Sequence, residues 1–227
     1  MSIASAPVRI VAAVASMCCI VSASAAQPEG ASTLTALGIS PNPAVYGQMV
    51  TLQATVTSST GTPTGTVDFD DGPSLIVAGV PMQGNLATYI ASGFLAGTHN
   101  LSAHYSGDAQ HSGSTGLNTL TVTSAQSLTV LSLFPNPSEV GHNVTLSATV
   151  SGNAGTPTGT VDFSEGPTPI VNGVPLSSGV ASYITSSLTT GTHNITAHYT
   201  GDGGYAGSTG MNTQTVNNDI IFADGFE

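Results

Sequence analysis

The sequence predicts an all-β protein of two tandem sandwiches, and three observations carry that prediction. The first is duplication: residues 61–69 read Gly-Thr-Pro-Thr-Gly-Thr-Val-Asp-Phe, and the same nine residues return 94 positions later, at 155–163. Pro41-Asn42-Pro43 likewise maps onto Pro135-Asn136-Pro137, and Gly97-Thr98-His99-Asn100 onto Gly191-Thr192-His193-Asn194. A unit of this length is a whole small domain rather than one layer of a solenoid, whose repeats run ~20–50 residues. The second observation is a period of two. Val50, Leu52, Ala54 and Val56 alternate with Thr51, Gln53, Thr55 and Thr57, as a strand with one buried face requires. The third is dense turn punctuation by Gly, Pro, Asn and Asp, with no helical period outside the N-terminal segment.

Taken in order, the chain begins with a targeting segment over residues 1–26. Arg9 precedes the apolar run from Ile10 to Val21, and Ala23-Ser24-Ala25-Ala26 supplies small residues for cleavage. That is the layout of a signal peptide, and the apolar run is too short for a permanent membrane anchor. Domain 1 is expected over 32–123, with strands near 33–39, 48–57, 65–70, 74–78, 86–92, 98–105 and 117–123. In the third, Val67 and Phe69 alternate with Asp68 and Asp70. In the sixth, Leu101, Ala103 and Tyr105 alternate with Ser102 and His104. Turns fall at Pro41-Asn42-Pro43, 58–65, Asp71-Gly72-Pro73, Ala78-Gly79, 83–85, Gly97 and 107–116. A linker of a few residues, too short to be a flexible tether, leads to domain 2 over 127–217, whose strands repeat the set. Seven short strands in one small unit have the size and rhythm of an immunoglobulin-like sandwich.

Composition narrows the function. The chain has twelve Asp and Glu, one Lys or Arg, six His and a formal net charge of −11. Its single basic residue and both cysteines, Cys18 and Cys19, lie in the targeting segment. The processed protein therefore has no cation except its histidines and forms no disulfide. Nucleic-acid binding and attachment to anionic lipid both need Lys and Arg, so both are excluded as roles.

The motifs Pro-Asn-Pro, Val-Thr-Leu-Gln-Ala-Thr-Val (50–56), Pro-Thr-Gly-Thr-Val-Asp-Phe (63–69) and Gly-Thr-His-Asn-Leu-Ser-Ala-His-Tyr-Ser-Gly-Asp (97–108) occur in order, and closely related versions recur in the second half. In this the chain resembles the bacterial Ig-like domains of the group-3 type over residues 33–217. The resemblance implies a sandwich serving as a spacer, stalk or adhesion module, and it supplies no catalytic residue. With no Trp and no intersheet disulfide, the core is expected to rest on aliphatic side chains with Phe69, Tyr89 and Tyr105. A native disulfide in a small secreted domain contributes ~2–5 kcal/mol, so each copy is expected to be modestly stable. Tyr105 is expected to stand in part for a tyrosine corner, its ring inward and its hydroxyl on backbone in the preceding turn.

Chemistry-bearing residues are few. His99 and His104, with their counterparts His193 and His198, sit five apart on strands, so each pair points to opposite faces and cannot chelate one ion. Surface or strand-end roles are expected for them, and His111 is replaced by Tyr205 in the second copy. The weak calcium candidates are Asp68, Asp70 and Asp71, joined by Asp108 if its loop approaches them. The turn fails the EF-hand spacing, and Asp70 becomes Ser164 in copy two. No nucleophile elbow, zinc-protease motif or phosphate loop is present. The expectation is a non-enzymatic, cofactor-free Ig-like repeat protein, secreted or at the surface of a Gram-negative bacterium. Its partner would be a protein or glycan at the cell surface. A calcium-stabilised carbohydrate-binding module is the alternative, disfavoured by the absence of Trp. The tail, 218–227, interleaves acidic residues with Ile and Phe; a sorting signal and a strand folding back over an edge are both open.

Overall fold

The computed structural model describes residues 30–218. The segment expected to direct targeting, 1–26, and the expected tail from Asp219 onward lie outside the described residues. Copy one has eight strands: β1 (Thr33–Ser40), β2 (Ala44–Val45), β3 (Val50–Ser58), β4 (Thr66–Asp71), β5 (Ser74–Pro81), β6 (Leu86–Ala91), β7 (Gly97–Tyr105) and β8 (Ser114–Thr123). Copy two repeats them as β9 (Ser127–Phe134), β10 (Ser138–Glu139), β11 (Val144–Gly152), β12 (Thr160–Glu165), β13 (Thr168–Pro175), β14 (Val180–Thr185), β15 (Gly191–Tyr199) and β16 (Ser208–Asn217). The strand beyond the expected seven is the two-residue β2, or β10, which runs parallel to the last strand of its copy.

Each copy packs a three-stranded sheet, β1-β3-β6 or β9-β11-β14, on a five-stranded one, β2-β8-β7-β4-β5 or β10-β16-β15-β12-β13. Alternation along the strands decides what lies between the layers. Val50, Leu52, Ala54 and Val56 of β3 face Val67 and Phe69 of β4 and Leu101, Ala103 and Tyr105 of β7 in one cluster. The equivalent residues of copy two form a second, separate cluster around Phe163 and Tyr199. Fully burying one such aliphatic or aromatic side chain contributes ~1.5–3 kcal/mol, so this stripe drives the fold. Tyr89, expected in the core, is only partly buried at its edge.

The repeated motifs acquire physical roles. In Pro-Asn-Pro, Asn42 acts as a surrogate strand: its Nδ2 donates to the Thr119 carbonyl at 2.7 Å, and its Oδ1 accepts from the Thr121 N–H at 3.1 Å. Asn136 repeats this on Thr213 and Thr215. The expected turn at Ala78-Gly79 is a bulge inside β5. Register shifts there, and the Gly79 N–H, at φ +69°, donates to Asp68 Oδ1 at 2.6 Å. The expected turn at 107–116 ends sooner, because β8 begins at Ser114. Gly116 is needed within that strand, since a Cβ there would come 2.6 Å from the Thr35 carbonyl oxygen of β1.

Candidate functional site

Chemistry on this fold concentrates at the two ends of each sandwich and at the joint between copies. The four acidic candidates do not converge. Asp68 receives the Gly79 N–H at 2.6 Å, Asp70 accepts from Ser102 Oγ at 3.4 Å, and Asp71 bonds His99 at 2.6 Å. Asp108 stands at the other end of β4, where its Oδ2 accepts both the N–H and the hydroxyl of Thr64 at 2.8 Å. Its Oδ1 accepts the N–H groups of Gln110 and His111, also at 2.8 Å. Among the described residues, no three His, Cys, Asp or Glu side chains gather as a metal site. Backbone donors from Gln110 and Thr64 hold the Asp108 carboxyl well below the usual carboxylate range, with His111 adding to the effect.

Of the matched histidines, His99 and His193 do stand near the starts of β7 and β15 as expected, but they are drawn inward rather than left at the surface. His104 and His198 are indeed exposed, each bonded to a threonine hydroxyl across the ladder. His111 and His193 are buried, and His99 nearly so. These three share one arrangement. His99 sets Nδ1 2.6 Å from Asp71 Oδ2 and Nε2 2.9 Å from the Leu95 carbonyl oxygen. His193 sets Nδ1 2.9 Å from Glu165 Oε1 and Nε2 2.7 Å from the Thr189 carbonyl oxygen. His111 places Nδ1 2.9 Å from Asp108 Oδ1 and Nε2 2.7 Å from the Thr60 carbonyl oxygen. Carboxylates and carbonyls only accept, so both ring nitrogens must donate, and the arrangement selects imidazolium. Burial lowers the pKa of His99 and His193, but the bonds to backbone carbonyl and acid outweigh it and raise both. For His111 the Thr60 bond leads, followed by Asp108, and the pKa again rises.

The joint is built from residues that sequence reasoning did not single out. The linker residue Ala125 is 1% exposed and is threaded into copy two. Its N–H donates to the Gly204 carbonyl at 2.9 Å, and its carbonyl accepts the Ala206 N–H at 2.9 Å. Tyr46, just after β2, packs against both cores and meets Tyr205 edge to face, with ring centroids 5.5 Å apart. The Tyr205 hydroxyl bonds the Ala154 N–H at 2.7 Å and the Gly155 carbonyl at 2.9 Å. A second strap crosses the joint from the Ala96 N–H to the Gly203 carbonyl at 2.9 Å, whereas the Ala125 bonds repeat those of Ala31 with Gln110 and Ser112 in copy one and lie within copy two. Asp202 braces the loop beneath: burial raises its pKa, but donors from Thr158, Gly204 and Tyr205 prevail and hold it at about 2.

Tyr105 sends its hydroxyl to the Thr64 carbonyl at 2.7 Å, in the turn before β4 rather than the turn preceding its own strand, so the expected tyrosine corner is not formed. Its counterpart Tyr199 is buried with no hydroxyl partner among the described residues, and burial near the Asp202 charge pushes its pKa up to about 12. Asp71 to His99 and Glu165 to His193 are both separations of 28, as the 94-residue repeat requires, so the spacing by itself does not report the contact.

The family model of the bacterial Ig-like domain (group 3) matches residues 37–123 and 131–217. No curated protein is similar to the chain in sequence. Among solved structures, the fibronectin(III)-like modules of Clostridium thermocellum CbhA are 19% identical, with a TM-score of 0.38, over 86% of this chain and all of theirs. The titin pair A168–A169 is 14% identical, with a TM-score of 0.42, over 82% of this chain and 98% of that one. At these levels neither likeness bears on function.

Proposed function

The chain belongs to the bacterial Ig-like domain (group 3) family, in two tandem copies, and from that membership we propose a non-enzymatic module of the cell exterior that holds its two sandwiches in fixed relative position. The observation that carries this reading is the joint. A spacer or adhesion module must not fold on its linker, and here the linker residue Ala125 is buried and bonded into copy two while one backbone strap and one aromatic pair cross between copies. Chain composition supports an exterior role, because a net charge of −11 with almost no cation keeps such units apart by repulsion. No helix among the described residues is long and apolar enough to cross a membrane. Residues 1–26 would direct export and the tail would act at the destination. Partners would meet the loops at the sandwich ends and the open strand edges.

The test is fractionation of the native cell together with a pull-down from its envelope using the purified chain. The reading expects the protein outside the cytoplasm, shortened near Ala26, with saturable binding to an envelope protein or glycan. Retention in the cytoplasm at full length would contradict it.

A further inference from the structure

We propose that His99 is a proton-operated latch on the joint between the two domains. The proposal rests on the reading of a stiff tandem unit and adds how that stiffness is regulated. The segment 92–96, between β6 and β7, is the part of copy one that reaches Gly203 of copy two. The Ala96 N–H donates to the Gly203 carbonyl, and the Leu95 side chain lies over that glycine. His99 holds this segment from below at consecutive residues. Its Nε2 meets the Leu95 carbonyl oxygen at 2.9 Å, and its ring meets Phe94 edge to face, centroids 5.1 Å apart. Its Nδ1 is anchored to Asp71 at the end of β4.

A neutral imidazole has one N–H and one lone pair. Set between a carboxylate and a carbonyl, it must turn a lone pair toward one of the two oxygens, losing a bond and gaining a repulsion. Only the cation donates to both. Protonation therefore ties the Leu95 carbonyl to β4, and proton loss frees the loop whose next residue crosses the joint. The surroundings leave His99 in control. Asp71 is the carboxylate facing it; β8 offers Leu120 opposite in register; Tyr89 lines the cleft shared by Asp71 and Phe94. Across the joint, Asp202 is already engaged by Thr158, Gly204 and Tyr205.

Copy two carries a built-in control. His193 makes the same clamp on Glu165 and Thr189, but the adjoining Thr190 bonds Asn218 of its own copy, so proton loss there touches no joint. The sign follows from the raised His99 pKa: the latch is closed below the ordinary histidine range and opens as pH rises through the folded value.

The test is amide exchange of the full chain by NMR, each amide normalised to its intrinsic rate, with ring titration followed in the same samples. The latch predicts that Ala96 protection falls tenfold or more between pH 5.5 and 8.5, with its midpoint at the His99 titration. Leu101 and Ala103 protection should stay unchanged. In His99→Gln, Ala96 protection should be low and flat with pH, whereas His193→Gln should behave as wild type at Ala96. Ala96 protection that stays flat while His99 titrates, or a His99→Gln profile matching wild type, overturns the latch and leaves the stiff unit standing. Ala96 unprotected at every pH, with separate alignment tensors for the two copies in residual dipolar couplings of the same samples, overturns the stiff unit and the latch with it.

Discussion

The loops at 106–113 and 200–207 are the same loop solved for two purposes. Asp108 and Asp202 make matching bonds, each taking the N–H and hydroxyl of a threonine 44 residues earlier and the two N–H groups within its own loop. Three residues later the copies diverge. His111 turns inward and seals its own domain through Thr60, whereas Tyr205 bonds Ala154 and Gly155 and meets Tyr46 of copy one. The frame is repeated, and both side chains close it on their own copy, at Thr60 or at the equivalent Ala154; only Tyr205 also meets a neighbour. The far ends differ similarly: Val140 and Thr189 stand where copy one has the joint residues Tyr46 and Leu95.

The largest effect expected from breaking one copy is confined to it. Phe163→Ala leaves a cavity costing ~3–5 kcal/mol, enough to remove most of the stability of a small domain. Calorimetry should show copy two melting first, with the copy-one transition retained; Phe69→Ala should reverse the order. Simultaneous loss of both transitions would mean that the cores are not separate.

Tyr205→His makes copy two imitate copy one and should open the joint. The aromatic pair contributes ~0.5–1.5 kcal/mol, and the Ala154 N–H loses its partner. A lowered denaturant midpoint for copy two and exposure of the Ala96 amide would register the change. His111→Tyr should give no reciprocal gain, because copy one has no Tyr46 equivalent before it among the described residues.

Alkali sharpens the comparison further. Copy one carries two doubly bonded histidines, His99 and His111, and copy two carries one, His193. All three have raised pKa, so their contribution is complete below about pH 6.5 and is lost as pH rises through the folded values. Urea titrations from pH 5.5 to 8.5 should therefore weaken copy one more than copy two. On the acid side, the Asp202 contribution is present above the ordinary carboxylate pKa and is lost as pH falls toward about 2.

The smallest effect concerns Gln214, buried where copy one has Leu120. Its Oε1 has no partner among the described residues, while its Nε2 donates to the Pro135 carbonyl and Ser138 Oγ. Replacing it together with its partner, as Gln214→Leu with Ser138→Ala, removes an orphan acceptor and should stabilise copy two by up to about 1 kcal/mol. A decrease in its midpoint would show that the amide network matters more than the orphan.

Strands were legible because alternation is local: β3, β4 and β7 announce themselves by residues two apart. β2 and β10 were not, since two residues have no period. The bulge at Gly79 read as a turn because glycine at positive φ serves both, and only the Asp68 carboxylate on its N–H tells them apart. Histidine partners were hidden by register. Asp71 and His99 meet across adjacent strands, and no residue between them reports it. The joint was hidden for a different reason, since Tyr46 and Tyr205 sit outside the alternating pattern and gain meaning only once two poles are apposed.

Residual dipolar couplings of the full chain at pH 5.5 test the central claim, two like domains fixed by a specific joint, most directly. One alignment tensor should fit the amides of both copies, and Tyr205→His should split it into two. Separate tensors in the unmodified chain would contradict the account.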